Sequence, residues 1–600
     1  MTGSRSMIVA AGLLMIAAQL WIRAVVLRNG SFILDDYVYI SRAVEEGPTF
    51  GYLFQNYAGQ FMPLGFAATW GLARFAPYDW GAALGLLLTL QGCASLAVLR
   101  ALRVVLGTRW LVLLPFALYV STPVTLPATG WYAAGVNGLP LQIGLAMALA
   151  AHVRYLRRQR TTYLVQTLLW TAFAMLAYVK AGAIPLVLFG FTSAYFFNGS
   201  WADGVRAAWN RYRRLWYWLA RVLAVQIVVY ALNWGQATVE ARGPGAEDTV
   251  DFVTKLVVRT FTMFFVGGPW SWADGGLNYA VPDPPQAEVA LAVVVAVAVI
   301  ALSVRYRRAA ARAWTITFGY VLVADCLPVL FGRVPIAGAW LGSDSHYVAD
   351  AAPLLAVCAG LAFLPLAGEK EPYVRPLPAG ALLPAVAGVA AGAVVAGSFV
   401  SVRDYGRALG HREGRAWLAA ATATLRRGPD LGAVFPSAVP PRVLPATYGN
   451  RAWSTHVLAP VASAAQRRVL GRPRPTEEPF VFGADGRLRP AGVFGVAAKP
   501  PPYGGTCWYV GKKPVDVALT RQVGDGDYAM SLGFLASRRT GLRISFNGGR
   551  TVAITARPRL GRYTFMIHGA GAAVRVAKSV PTAPLCVTDI TVGYAVPAGR

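Results

Sequence analysis

The sequence predicts a polytopic α-helical membrane domain, followed by a small α/β unit and a β-sandwich of jelly-roll type. Three observations carry that prediction. Of 600 residues, 56% are hydrophobic and only 14% are charged, with a mean hydropathy of +0.46, outside the range of ordinary soluble domains. Long apolar runs recur to about residue 400 and then stop. From residue 504 the pattern changes to short alternating apolar/polar runs separated by Gly, Asp, Asn or Pro, which is the signature of strands.

A membrane span needs roughly twenty apolar residues, and short Lys/Arg-rich loops mark the cytoplasmic side. Eleven stretches read as spans: 7–27, 80–99, 110–128, 134–152, 162–179, 183–197, 215–234, 287–304, 314–331, 347–367 and 378–400. Met7–Leu27 lacks a small-residue cleavage site and reads as a retained span rather than a signal peptide. Phe61–Ala76 is apolar but short and carries Arg74, so it reads as a helix lying on the outer surface. With that assignment, every loop expected in the cytoplasm is basic. They carry Arg100 and Arg103, Arg154 to Arg160, Arg206 to Arg214, Arg305 to Arg312, and Lys370 with Arg375. This orientation puts the chain in the cytoplasmic membrane with residues 401–600 on the extracytoplasmic side.

Three domains follow: 1–400 in the membrane, 401–503 as an α/β unit, and 504–600 as the sandwich. The middle unit combines an amphipathic pattern over Glu413–Arg427 with short Pro-bounded pieces such as Ala433-Val434-Phe435. In the last, Tyr528–Phe534, Leu542–Phe546, Thr551–Ala556, Tyr563–His568 and Cys586–Val592 read as strands. Residues 401–600 hold 28 Lys or Arg against 10 Asp or Glu, so they supply about +18 of the formal +28. A basic surface outside the cell meets lipid headgroups or phosphate-linked glycans rather than nucleic acid. Cys93, Cys326 and Cys358 lie in apolar runs. Cys507 and Cys586 lie near the two ends of the last domain, and an oxidising compartment would join them.

Chemistry is expected at Asp35-Asp36, where the chain leaves the first span. Ionisable groups at a membrane boundary are costly to keep and mark function by default. A surface segment, Gln60-Phe61-Met62-Pro63-Leu64, follows, then alternating spans and an outer C-terminal domain. This arrangement resembles the GT-C superfamily of membrane glycosyltransferases, in particular protein O-mannosyltransferases and aminoarabinose transferases. Gln60 stands where those enzymes often carry His or Lys.

The resemblance implies transfer of a sugar from a polyprenyl-phosphate donor to a cell-envelope glycan, lipid or protein acceptor. Asp35 would be the general base, and Asp36 would orient the acceptor or hold a divalent metal such as Mg, Mn or Ca. The alternative for Asp36 is a cap on the helix starting near Tyr37. Tyr37 and Gln60 would lie on the acceptor side. Lys180, in the turn of a hydrophobic hairpin, would neutralise the lipid phosphate or serve as a snorkelling anchor. His346, before a late span, and Arg259, on the stretch Phe252–Val266, would face the same phosphate or anchor at the interface. Trp270, Trp272 and Asp274 form an aromatic turn suited to sugar recognition or to an interfacial belt. No Gly-rich phosphate loop follows a strand, which argues against a nucleotide-sugar enzyme of Rossmann type. The rival readings are a lipid or glycan transporter, or a carbohydrate-binding protein on a membrane anchor.

Overall fold

The computed structural model describes residues 2–598 apart from 198, 234–242, 276–278, 370–371, 376–381, 410–411, 502–504, 547–548 and 581–582. The chain divides into two compact units, residues 1–411 and 412–600.

The first unit is helical. Each of the eleven apolar stretches coincides with helix. The start of the last one, 378–381, and Lys370 lie outside the described residues. Among the described residues, six helices are long and apolar enough to cross a bilayer: Arg5–Leu27, Trp80–Leu106, Tyr132–Arg158, Arg213–Leu232, Gln286–Tyr306 and Ala310–Gly332. A seventh candidate is the pair Trp110–Ser121 and Pro123–Gly130, bent by 46°. The shorter Thr161–Ala177, Val179–Tyr195 and Ala349–Phe363 fall below the roughly twenty residues of a straight crossing. Large apolar side chains point outward along these helices: Leu14 and Trp21 are each 71% exposed and Leu232 is 80% exposed. Such contiguous apolar surface belongs in lipid, and the chain is a multi-pass membrane protein.

The segment expected to lie flat, Phe61–Ala76, is the helix Pro63–Phe75. Proline at its start supplies the helical φ where no N–H is needed, and 13 residues are too few to span. It packs through Phe66 and Thr69 near the helix Asp35–Glu46 and the start of Tyr132–Arg158. Just before it, β1 (Asn56–Tyr57) and β2 (Gln60–Phe61) pair antiparallel, Tyr57 opposite Gln60. Their two-residue loop, Ala58 and Gly59, has φ of +48° and +78°, the left-handed pair that a tight hairpin with right-handed strand twist requires.

A second short hairpin, β3 (Trp272–Asp274) with β4 (Ala280–Pro282), precedes the helix Gln286–Tyr306. The remaining eight strands belong to the second unit: β5 (Phe480–Phe482), β6 (Leu488–Ala497), β7 (Trp508–Tyr509), β8 (Val515–Ala536), β9 (Thr540–Phe546), β10 (Val552–Ala556), β11 (Leu560–Lys578) and β12 (Leu585–Pro597). They form one antiparallel sheet in the order β10-β9-β11-β8-β12-β6-β5, with β7 on β12. Alternate residues, among them Met530, Leu532 and Phe534 on β8 and Leu542, Ile544 and Phe546 on β9, bury one core. Four of the five expected strands lie inside these, and the fifth, Thr551–Ala556, starts one residue before β10. Two run much longer than expected, because Gly524 to Gly526 and Gly569 to Gly571 continue β8 and β11 rather than ending them. The register of β11 shifts at Gly569, Gly571 and Ala573, so the glycines make bulges that bend a strand. The sheet draws strands from both sides of residue 503. The amphipathic helix, Arg412–Arg426, packs Trp417 inward, and its indole N–H donates to the Gly483 carbonyl at 2.9 Å.

Cys507 and Cys586 are bonded, with Cα atoms 5.7 Å apart across 79 residues. A loop of that length stabilises the folded state by roughly 4–5 kcal/mol in the chain-entropy account. Non-reducing peptide mapping should recover the 507–586 linkage. C507S/C586S should lower the thermal midpoint of the C-terminal unit by several degrees; an unchanged midpoint would show that the bridge closes no stabilising loop.

Candidate active site

Asp35 and Asp36 open the helix Asp35–Glu46, where the partial positive charge of the helix N-terminus favours carboxylates. They have different surroundings. Asp36 is fully buried; its Oδ2 accepts the Ile33 N–H at 2.9 Å, and its Oδ1 accepts the Ala133 N–H at 2.8 Å. Burial pushes its carboxyl above the usual carboxylate range, against the pull of those two backbone donors. It therefore caps Tyr132–Arg158, not its own helix, and ties the segment after the first span to the start of that helix. Each Asp36 oxygen thus accepts one backbone N–H, which gives the buried carboxylate a structural task. Among the described residues, no group of three His, Cys, Asp or Glu side chains converges that could hold an ion.

Asp35 is only partly buried. Its Oδ1 accepts from the Tyr57 hydroxyl at 3.3 Å, and it stands in the field of the Arg333 guanidinium. Arg333 donates to the Ala58 carbonyl at 3.1 Å, and the phenols of Tyr347, Tyr178 and Tyr39 lie in its field. A carboxylate, a guanidinium and a ring of phenols thus meet around the β1–β2 hairpin. Beneath them the hairpin buries amides. Gln55 and Asn56 are 1% and 3% exposed with neither amide end in a hydrogen bond of good geometry. Gln60 lies beside the Tyr178 hydroxyl, and its carbonyl oxygen is also left over.

Lys180 is not on the surface of this cluster. Its ammonium is buried and donates to Asp325 Oδ1 at 2.8 Å, to Asp350 Oδ1 at 2.9 Å and to the Tyr347 carbonyl at 2.6 Å. All three protons are used, so the lipid-phosphate contact expected for it has no donor left. Tyr320 completes the group, its hydroxyl donating to Asp350 Oδ2 at 2.7 Å. Asp325 lies on a π-helical turn, Val321–Cys326, a widening of the helix often found at functional positions.

The other expected residues separate. His346 has Nδ1 2.7 Å from Asp344 and its ring between Trp131 and Tyr347, 5.0 and 3.9 Å away. Arg259 donates to the Pro284 carbonyl at 3.1 Å, within its own loop. The indole of Trp272 is buried, donating to Ser401 at 2.9 Å and resting edge-on against Tyr405 at 4.8 Å. Trp270 turns its indole N–H to the Val266 carbonyl, and its backbone N–H to Glu288 at 2.8 Å. The aromatic turn therefore fastens neighbouring helices, with the Trp272 indole buried and Trp270 half-buried. Asp274 ends β3, exposed. Tyr37 is wholly buried against Tyr78 at 5.4 Å and lines no accessible surface.

Sequence reasoning missed Arg333, Asp325, Asp350 and Tyr57. Three of them were signalled: Asp325 and Asp350 are single carboxylates inside apolar runs, which is the pattern that marks function in a membrane. Arg333 was signalled as a lone basic residue at the end of a span expected to face outward, against the charge bias of the loops.

No family model matches the chain, and no curated protein matches it. Among solved structures, it is similar to ArnT from Cupriavidus metallidurans bound to undecaprenyl phosphate, at 12% identity over 78% of this chain and 92% of that one, with a TM-score of 0.45. It is also similar to the archaeal oligosaccharyltransferase AglB from Archaeoglobus fulgidus, in complex with an inhibitory peptide and a dolichol-phosphate, at 13% identity, 70% and 58% coverage and a TM-score of 0.39. A third is the arabinosyltransferase EmbB from Mycobacterium smegmatis, at 12% identity, 97% and 64% coverage and a TM-score of 0.34. Likeness at this level fixes neither a family nor an activity.

Replacing Lys180 by Met leaves two buried carboxylates facing each other. Breaking a buried ion pair from one side typically costs about 3–5 kcal/mol, so K180M should lower the thermal midpoint sharply. Adding D325N to K180M should restore part of the loss. If K180M melts like the parent protein, the triad does not hold the bundle.

Proposed function

We propose that this chain is a membrane glycosyltransferase of the GT-C type, with Asp35 as its general base. The donor is a sugar on a polyprenyl phosphate, and the acceptor is a hydroxyl on a cell-envelope glycan, lipid or protein. The observation that carries the reading is that the β1–β2 hairpin brings a partly exposed carboxylate, Asp35, held by Tyr57, and the Arg333 guanidinium, held by the Ala58 carbonyl, to one end of an apolar bundle.

The chemistry needs both. The acceptor O–H proton passes to Asp35 as its oxygen bonds to the anomeric carbon. The bond from that carbon to the phosphate oxygen breaks, and its electron pair leaves with the polyprenyl phosphate. The charge returned to the phosphate is met by Arg333, a planar donor suited to phosphate oxygens. Arg333 takes over the role expected of Lys180, His346 and Arg259, whose donors are spent elsewhere or lie in other loops. Tyr57 orients Asp35, and Asp36 fixes the loop that carries it. No step is assigned to a metal ion. The basic loops support an orientation with this site and the C-terminal unit on the extracytoplasmic face of the cytoplasmic membrane. There the C-terminal unit would hold glycan.

The test is transfer from radiolabelled polyprenyl-phosphate sugars in membranes containing the full chain. Asp35→Asn keeps the shape but cannot take a proton, so turnover should fall by about 10²–10⁴-fold with donor binding retained. Arg333→Gln should instead weaken binding of the polyprenyl phosphate itself. Full turnover in D35N would remove the base assignment, and no transfer by the parent protein from any such donor would remove the enzyme.

A further inference from the structure

At the arginine-rich ends of three helices, far along the bundle from Asp35, a groove of about 500 Å³ opens on the lipid-facing surface. It is lined by Arg100, Met147, Gln166, Leu169, Trp170 and Phe173. Four of these lie on Thr161–Ala177 at spacings of three and four, which puts them on one helix face. Along that face, polar Gln166 sits nearest the helix start and Phe173 lies about 10 Å further in, at 1.5 Å per residue. The groove therefore has a polar mouth and an apolar floor. Its depth is set where Gly144 lets the two helices meet: a Cβ there would fall 2.5 Å from that of Ala174.

The mouth is cationic. Arg100 lines it, and Arg154 stands in the field of both Arg100 and Arg158. Neighbouring arginines at this end have structural work: Arg157 donates to the carbonyls of Val104, Val105 and Ala367, and Arg109 to those of Leu106 and Pro365. Among the described residues, no carboxylate pairs with Arg100 or Arg154, and neither donates a hydrogen bond. The positive-inside bias accounts for basic residues near this level. It does not account for two unpaired guanidiniums over an apolar slot with a tryptophan in its wall.

We infer that this groove is a binding site for an anionic phospholipid, its phosphate held by Arg100 and Arg154 and an acyl chain lying along Leu169, Trp170 and Phe173. Basic pockets between membrane helices at the cytoplasmic leaflet bind such headgroups. Here the apolar floor adds a seat for the chain, which a free phosphate would not use. The site is independent of the transfer chemistry proposed above.

Native mass spectrometry of the full chain, released from detergent after exchange into phosphatidylglycerol or phosphatidylcholine, tests it. The parent protein should retain a phosphatidylglycerol that phosphatidylcholine and inorganic phosphate fail to displace. R100Q/R154Q should reduce that occupancy by about tenfold or more. Gln166→Trp, which fills the groove but keeps both arginines, should also expel the lipid. R213Q/R214Q, at the start of another span, should leave it in place. Equal retention by R100Q/R154Q, equal retention of phosphatidylcholine, or equal loss in R213Q/R214Q would each overturn the site.

Discussion

The ammonium of Lys180, buried between Asp325 and Asp350, is the interaction on which the helical unit depends. Three charges taken out of water are expensive, and their mutual attraction offsets that cost only when geometry and hydrogen bonding are good. Here they are: the ammonium spends all its protons within 2.9 Å, and Tyr320 serves one of the remaining carboxylate oxygens. The arrangement joins the turn before the helix Ile184–Tyr195, the π-helical Val321–Cys326 and the turn leading to Ala352–Phe363. Its third bond, to the Tyr347 carbonyl, sets the backbone whose side chain meets Arg333. The residues around Arg333 are thus positioned by a charge cluster outside their own group.

A second buried cation is linked to the same turn through a chain of hydrogen bonds. Arg23, in the first span, donates to Gln91, to Thr129 and to the carbonyl and hydroxyl of Thr125. Gln91 donates to Tyr119, Tyr119 to Gln142, and Gln142 to the Ala349 carbonyl, one residue before Asp350. A chain of neutral amides and hydroxyls therefore runs from one isolated guanidinium to the triad. With Arg23 counted, the two cations and the two carboxylates sum to zero. In a low-dielectric interior, a satisfied network of this kind fixes one arrangement of helices, because any other strands a polar group.

What the sequence discloses follows from how local each signal is. Apolar runs mark helices because hydrophobicity is read within a single segment, and the eleven stretches all became helix. Asp35 and Asp36 stood out because they sit at a boundary where charge is costly. Their division of labour did not, since Asp36 is claimed by Ala133, 97 residues away. Lys180 was visible as a cation in a hairpin, but its partners lie 145 and 170 residues on. The aromatic turn at 267–274 read as a sugar platform because composition does not reveal that Trp272 is held by Asp404 and Ser401, about 130 residues later. In the β unit, glycine punctuates in one context and bulges in another, and only the strand on the far side decides which.

The proposed transfer rests on one cluster, Asp35 and Arg333 with the phenols of Tyr57 and Tyr347. A structure of the full chain in a lipid nanodisc with polyprenyl phosphate added, determined by electron cryomicroscopy, tests it most directly. The phosphate should lie within hydrogen-bonding distance of Arg333, on the side facing Asp35, with Lys180 still enclosed by its two carboxylates. A phosphate bound elsewhere on the bundle, or one contacted by Lys180 with the triad opened, would contradict it.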